Sequence, residues 1–157
     1  MVDSRNIIAH AEYSPNGKQI AFIKIPDNQE TNPMGELWVI DSEGFSGKKL
    51  ADADAGNGFS PAWSPDGKRI AFVQWKSNQK QNPLNISIID LETFKIVTVS
   101  SPAKSGASWS PDGSLISFSS SISKEAVGDT IYVSIFNLSS AETHIIGKQA
   151  CCSGWIR

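Results

Sequence analysis

Hydrophobic and polar positions along the chain fall into short strand-like runs separated by turns. One unit recurs. Its middle copy is Trp63-Ser64-Pro65-Asp66-Gly67-Lys68-Arg69-Ile70-Ala71-Phe72-Val73. An earlier copy runs from Tyr13-Ser14-Pro15-Asn16-Gly17 into Ile20-Ala21-Phe22-Ile23, and a later one from Trp109-Ser110-Pro111-Asp112-Gly113 into Leu115-Ile116-Ser117-Phe118. Proline pre-sets the backbone at the second turn position, Asp or Asn suits the third, and Gly supplies a left-handed residue. A type I turn closed in that way joins two antiparallel strands, so positive φ is expected at Gly17, Gly67 and Gly113. Ile70 to Val73 is apolar at every position, with no wet face, which implies a sheet covered on both sides.

The spacing decides the architecture. Tyr13 to Trp63 is 50 residues, Trp63 to Trp109 is 46 and Trp109 to Trp155 is 46. Periods of this size, with several strands in each, are those of β-propeller blades. The expected fold is all-β, with three four-stranded antiparallel blades of a propeller. Blade one spans about 7–58, blade two about 59–105 and blade three about 106–150; 151–157 begin a fourth. Within blade one, strands A to D are expected at Ile7–Tyr13, Lys18–Ile25, Glu36–Asp41 and Gly47–Ala51, with loops at Pro26–Gly35 and Asp52–Ser60. In blade two, B is Arg69–Trp75, C Asn85–Asp90 and D Phe94–Val99. In blade three, B is Leu115–Ser120, C Thr130–Phe136 and D Glu142–Ile146.

This meander puts the A–B and C–D turns on one face and the B–C and D–A loops on the other. The second set is longer and more varied, which makes it the expected binding face, together with the central channel. Candidate ligand-face residues are Asn28, Gln29 and Asn32, which recur 50 residues on as Asn78, Gln79 and Asn82. A loop shape shared through Asn-Pro turns explains that recurrence as well.

The whole motif is Tyr13, Ser14, Pro15, Asn16, Gly17; Trp63, Ser64, Pro65, Asp66, Gly67; Trp109, Ser110, Pro111, Asp112, Gly113; and Trp155. With its following apolar strand it closely resembles the TolB-type, WD40-like propeller repeat. No Trp-Asp dipeptide or Gly-His pair of the WD type occurs. The resemblance covers nearly the whole chain and implies six blades with strand A at the axis. It also implies a periplasmic or cell-envelope interaction protein or, alternatively, the non-catalytic gating portion of a prolyl-oligopeptidase-type serine peptidase. Asn16 departs from the usual Asp, conservatively for the turn.

Composition narrows the function classes. The chain has 157 residues, 39% hydrophobic and 19% charged, with a net charge of −2. That composition fits a folded domain and supplies no basic footprint for nucleic acid. No run approaches the ~20 apolar residues of a membrane helix, and Met1 to Asn6 lacks a signal-peptide core. Cys151 and Cys152 are adjacent, at ~3.8 Å between Cα atoms, which disfavours a bridge between them. They read as small buried hydrophobes.

No Gly-x-Ser-x-Gly elbow accompanies the two histidines, His10 and His144, so no catalytic residue and no enzyme activity is expected. Asp52-Ala53-Asp54 begins like a calcium loop. The fifth and twelfth positions, however, are Gly56 and Trp63, which cannot serve as ligands there. No metal or cofactor is expected. Trp63, Trp109 and Trp155 read as inter-blade core in preference to a stacking surface for sugars or bases. Three blades cannot close a ring. The expected partners are therefore a bound protein and either a second copy, with Ser153-Gly154-Trp155 beside its blade one, or the rest of a longer chain cut at Arg157.

Overall fold

The computed structural model describes residues 6–27, 34–54, 59–75, 84–122, 130–148 and 155. Those residues form strands, turns and connectors and no helix. The first sheet contains β1 (Asn6–Tyr13), β2 (Gln19–Pro26), β3 (Met34–Asp41) and β4 (Lys48–Asp54). The second contains β5 (Ala62–Trp63), β6 (Arg69–Trp75), β7 (Leu84–Asp90) and β8 (Ile96–Pro102). The third contains β9 (Ser108–Trp109), β10 (Leu115–Ile122), β11 (Thr130–Asn137) and β12 (Glu142–Lys148). Each sheet is a four-stranded antiparallel meander in chain order.

The continuous apolar run of β6 is explained by its two buried faces. Ile70 and Phe72 point into one core with Ala21, Ile23, Leu37 and Val39 of the first sheet. Ala71 and Val73, alternate residues on the same strand, point into a second core with Ile116, Phe118 and Phe136 of the third. All four β6 residues are at most 3% exposed. Alternation within one strand thus divides it between two inter-blade joints.

Several boundaries differ from expectation. Asp52, Ala53 and Asp54 lie in β4 and not in a loop: Asp52 pairs with Glu36 and Asp54 with Met34, and Lys49 holds Asp52 at 2.7 Å. Ser121 and Ile122 extend β10 through pairing with Ile131 and Thr130. Phe94 does not open β8. It lies in the turn at φ +57°, its N–H donating to Asp90 O.

The inner strands also differ in length. β1 pairs with β2 from Ile20 to Pro26, with a register shift between Ala9 and Glu12 and His10 at φ +56°. β5 and β9 have two residues each. Pro61, which has no N–H for a ladder, precedes β5. Beside β10 the connector before β9 takes over the edge: Ala103 bridges Ser120, and Lys104 N–H donates to Ser119 O at 2.8 Å.

Candidate functional site

The three A–B turns have one construction. In each, the Gly N–H donates to the Ser carbonyl at 2.8–2.9 Å, closing the turn over Pro and Asp or Asn. φ is +70° at Gly17, +68° at Gly67 and +70° at Gly113. The serine is buried, at 5, 0 and 3% exposure for Ser14, Ser64 and Ser110. Its hydroxyl accepts the N–H of the residue five on, at 2.9 Å for Gln19, Arg69 and Leu115. The same hydroxyl donates to Asn16, Asp66 or Asp112 at 2.6–2.9 Å. That side-chain oxygen accepts a further N–H at 3.0 Å from Lys18, Lys68 or Ser114. These bonds act on the acids. The Ser110 hydroxyl and the Ser114 N–H hold Asp112 down to about 2. Partial burial opposes the shift at Asp66, but the Ser64 and Lys68 bonds outweigh it and its pKa is also lowered.

A second set of bonds joins the blades. Trp63 Nε1–H donates to Glu12 O at 3.0 Å, Trp109 to Ala62 O at 2.9 Å and Trp155 to Ser108 O at 3.0 Å. Each acceptor immediately precedes the aromatic of the preceding copy. Stacked turns follow the same order. A Cβ built at Gly67 would lie 3.7 Å from Pro15 Cδ, and one at Gly113 would lie 3.4 Å from Pro65 Cδ. Within each blade the C–D turn is tied to the A–B turn: Ser42, Leu91 and Leu138 N–H donate to Lys18, Lys68 and Ser114 O at 2.9–3.1 Å.

These motif residues line an axial cleft of about 1010 Å³. Its wall comprises Tyr13, Trp63, Trp109 and Trp155, the prolines Pro15, Pro65 and Pro111, and connector residues such as Phe59 and Ser60. Among the described residues lining it, Glu12 is the one that is charged, and Tyr13 is 66% exposed. Rigid turns behind an aromatic wall provide a preformed surface for a ligand with apolar or planar groups.

Asn28, Gln29, Asn32, Asn78, Gln79 and Asn82 lie outside the described residues, as do Cys151, Cys152, Ser153 and Gly154. His10 sits at the β1 irregularity, whereas His144 is on β12 beside Glu142 at 3.7 Å. Among the described residues no group of three His, Cys, Asp or Glu is arranged to hold a metal. Trp155 is bound to its own blade three, and blade one has a complete inner strand in β1.

Two features escaped the motif reading. The serine's double role was readable in principle from Ser-x-Asp/Asn in all three copies. Arg69 donates to Gly113 O at 3.2 Å and lies 5.0 Å from the Trp109 ring. Its counterparts are Gln19 and Leu115, so this link follows no repeat pattern.

A family model described as a TolB beta propeller domain matches residues 1–150. No protein of curated function matches the chain. Among solved structures, the β-propeller domain of the trilobed protease from Pyrococcus furiosus is similar at 17% identity and a TM-score of 0.68, over 94% of this chain and 45% of that one. An acylaminoacyl peptidase from Pyrococcus horikoshii is similar at 18% identity and a TM-score of 0.68, over 91% and 25%. Oligogalacturonate lyase from Vibrio parahaemolyticus is similar at 13% identity and a TM-score of 0.68, over 94% and 42%. The chain spans less than half the length of each, and at these identities the likeness is one of fold.

Proposed function

The chain belongs to the TolB β-propeller family, and from that premise we propose that it works without catalysis, as an arc of a propeller that seats a partner. The partner, a protein segment or other ligand, lies against the axial wall and the B–C and D–A loop face. The observation that carries this reading is the axial cleft of about 1010 Å³, walled by repeat aromatics and prolines on turns locked by buried serines. A periplasmic or cell-envelope location belongs to the same reading and rests on family membership alone.

The test is a peptide library displayed against the pure chain, followed by chemical-shift mapping of an enriched sequence. Shifts at Tyr13, Phe59 and Trp63 that vanish in Tyr13→Ala support the proposal. Enriched sequences that map elsewhere overturn the assignment of the wall. Ester or peptide hydrolysis by the pure chain, lost on His10→Ala or His144→Ala, would overturn the absence of catalysis.

Ring completion is part of the proposal. Three blades are half of a six-bladed ring, completed by a second copy or by the rest of a longer chain. In the first case the interface buries well over ~1,200 Å². Light scattering at micromolar concentration tests it: a stable monomer with three ordered blades excludes the dimer.

A second reading makes the chain the propeller portion of a prolyl-oligopeptidase-type peptidase, inactive alone. Two of the structural neighbours are named as a protease and a peptidase. A parent reading frame that contains a hydrolase nucleophile elbow would favour it.

A further inference from the structure

The joint between the first two blades carries a groove on the turn face, away from the axial wall. Its volume is about 840 Å³, and it is lined by Gln19, Val39, Leu50, Gly67 and Leu91, with Phe45, Lys48, Lys68, Glu92 and Phe94 among its other walls. Both flanking blades are present here, so no missing neighbour accounts for the opening.

The two joints differ at one matching position. In the next joint Arg69 crosses the corresponding space to Gly113 O at 3.2 Å. At the matching place in blade one stands Gln19, facing the turn of Gly67, and both line the groove. The shorter side chain leaves the space unfilled.

The rim is costly for a surface with no partner. Phe45 is 83% exposed and Phe94 48%. Phe94 is also held at φ +57°, a conformation that non-glycine residues adopt at a cost. The turn itself does not require an aromatic there, since blade three places Ala141 at φ +56°. Lys48 Nζ lies 3.5 Å from the centroid of the Phe94 ring. Neither Lys48 nor Lys68 is within ion-pair distance of a carboxylate among the described residues. The nearby turn acids are engaged with their own backbone: Asp41 accepts from Glu43, Phe45 and Ser46 N–H, and Asp90 from Glu92 and Thr93 N–H. Among the described residues, Glu92 is the one acid lining the groove.

We propose that this groove seats an extended acidic segment of a partner protein, with one aromatic or aliphatic side chain between Phe45 and Phe94 and carboxylates at Lys48 and Lys68. The apolar floor of Val39, Leu50 and Leu91 takes the anchor, and the two ammonium groups, neither in an ion pair among the described residues, supply the charge complementarity. The site is independent of the axial wall.

The test titrates the isotope-labelled full chain with an acetylated, amidated acidic pentapeptide bearing a central Phe. Two control peptides replace the Phe by Gly or the acids by Lys. Amide shifts are expected at 45–50 and 91–95, for the acidic Phe peptide only, weakening as salt rises. Gln19→Arg should reproduce the Arg69 crossing, fill the groove and weaken binding roughly tenfold or more, with an unchanged or raised Tm. Lys48→Glu with Lys68→Glu should weaken binding about tenfold by a separate route. Tyr13→Ala should leave it unchanged, which separates this site from the axial wall. The proposal is overturned by shifts clustered at Tyr13 and Trp63, by equal binding of either control peptide, by an absence of shifts, or by full affinity in Gln19→Arg or in the double lysine variant.

Discussion

The two inter-blade joints are built alike and finished differently. Both bury alternate residues of β6, both carry an indole-to-carbonyl bond, and both stack a proline on the next glycine. The second joint is then closed on the turn face by Arg69, and Trp109 is 8% exposed. In the first, Gln19 stands in place of Arg, Trp63 is half-buried and a groove is open on the turn face. The repeat therefore specifies how blades stack, and the non-repeating Arg69 adds a link across the second joint that Gln19 does not match at the first.

The largest way to break the comparison is at the turn glycines. Gly67→Val and Gly113→Val each force a β-branched residue to positive φ, at a cost of about 1–3 kcal/mol. Gly113→Val should cost more. Its Cβ would lie 3.4 Å from Pro65 Cδ and 3.6 Å from Arg69 Nη2, against 3.7 Å from Pro15 Cδ at Gly67. Urea denaturation of both variants checks the order.

Next come the indoles. Trp109→Phe leaves Ala62 O without its part-buried donor and should lose ~1 kcal/mol for that bond. Trp63→Phe frees Glu12 O, whose bond is exposed and which water can satisfy, so the same loss should be roughly half as large. Melting of the two variants, corrected for the common packing change, gives the difference.

Exchanging the seal is smaller. Arg69→Gln should cost about 0.5–1 kcal/mol and open a groove at the second joint. Its converse, Gln19→Arg, should move stability the other way. Amide exchange at Gly113 and Gly67, compared between the two variants, follows the seal directly.

The finest distinction is protonic. Asp112 is held at about 2 against an ordinary 3.8. A folded-state value below the unfolded one contributes stability above the unfolded value, and that contribution is lost as pH falls through about 2. Asp66, lowered in the same direction, should lose its contribution as pH falls below the ordinary carboxylate range. Asn16 holds the same bonds and has no proton to gain. In an acid titration the amide resonances of Ser114 and Lys68 should therefore move while that of Lys18 stays.

Much of this fold was legible because its determinants are local. Ser-Pro-Asp-Gly dictates a turn from its own residues, and Ile70 to Val73 declares two buried faces by composition alone. Strand ends were less legible. Asp52 to Asp54 reads as a polar loop until Glu36 and Met34 supply partners across the sheet. Phe94 reads as a strand residue, and its left-handed turn is set by a bond to Asp90. The axial wall could be anticipated from the period of Trp63, Trp109 and Trp155, but the groove could not. It depends on Gln19 and Gly67, which are distant in sequence and become neighbours only when two blades stack.

The indole bonds run in one direction: each copy offers a carbonyl forward and receives the next copy's N–H. A module with a donor on one side and an acceptor on the other is interchangeable with its neighbours. Excising residues 63–108 would join Ala62 directly to Trp109, bringing that indole to Glu12 O, Ile116 and Phe118 to the places of Ile70 and Phe72, and Gly113 to Pro15. The chain can thus gain or lose a whole blade by tandem duplication or deletion without designing a new contact, which makes blade number the easiest property of this architecture for evolution to change.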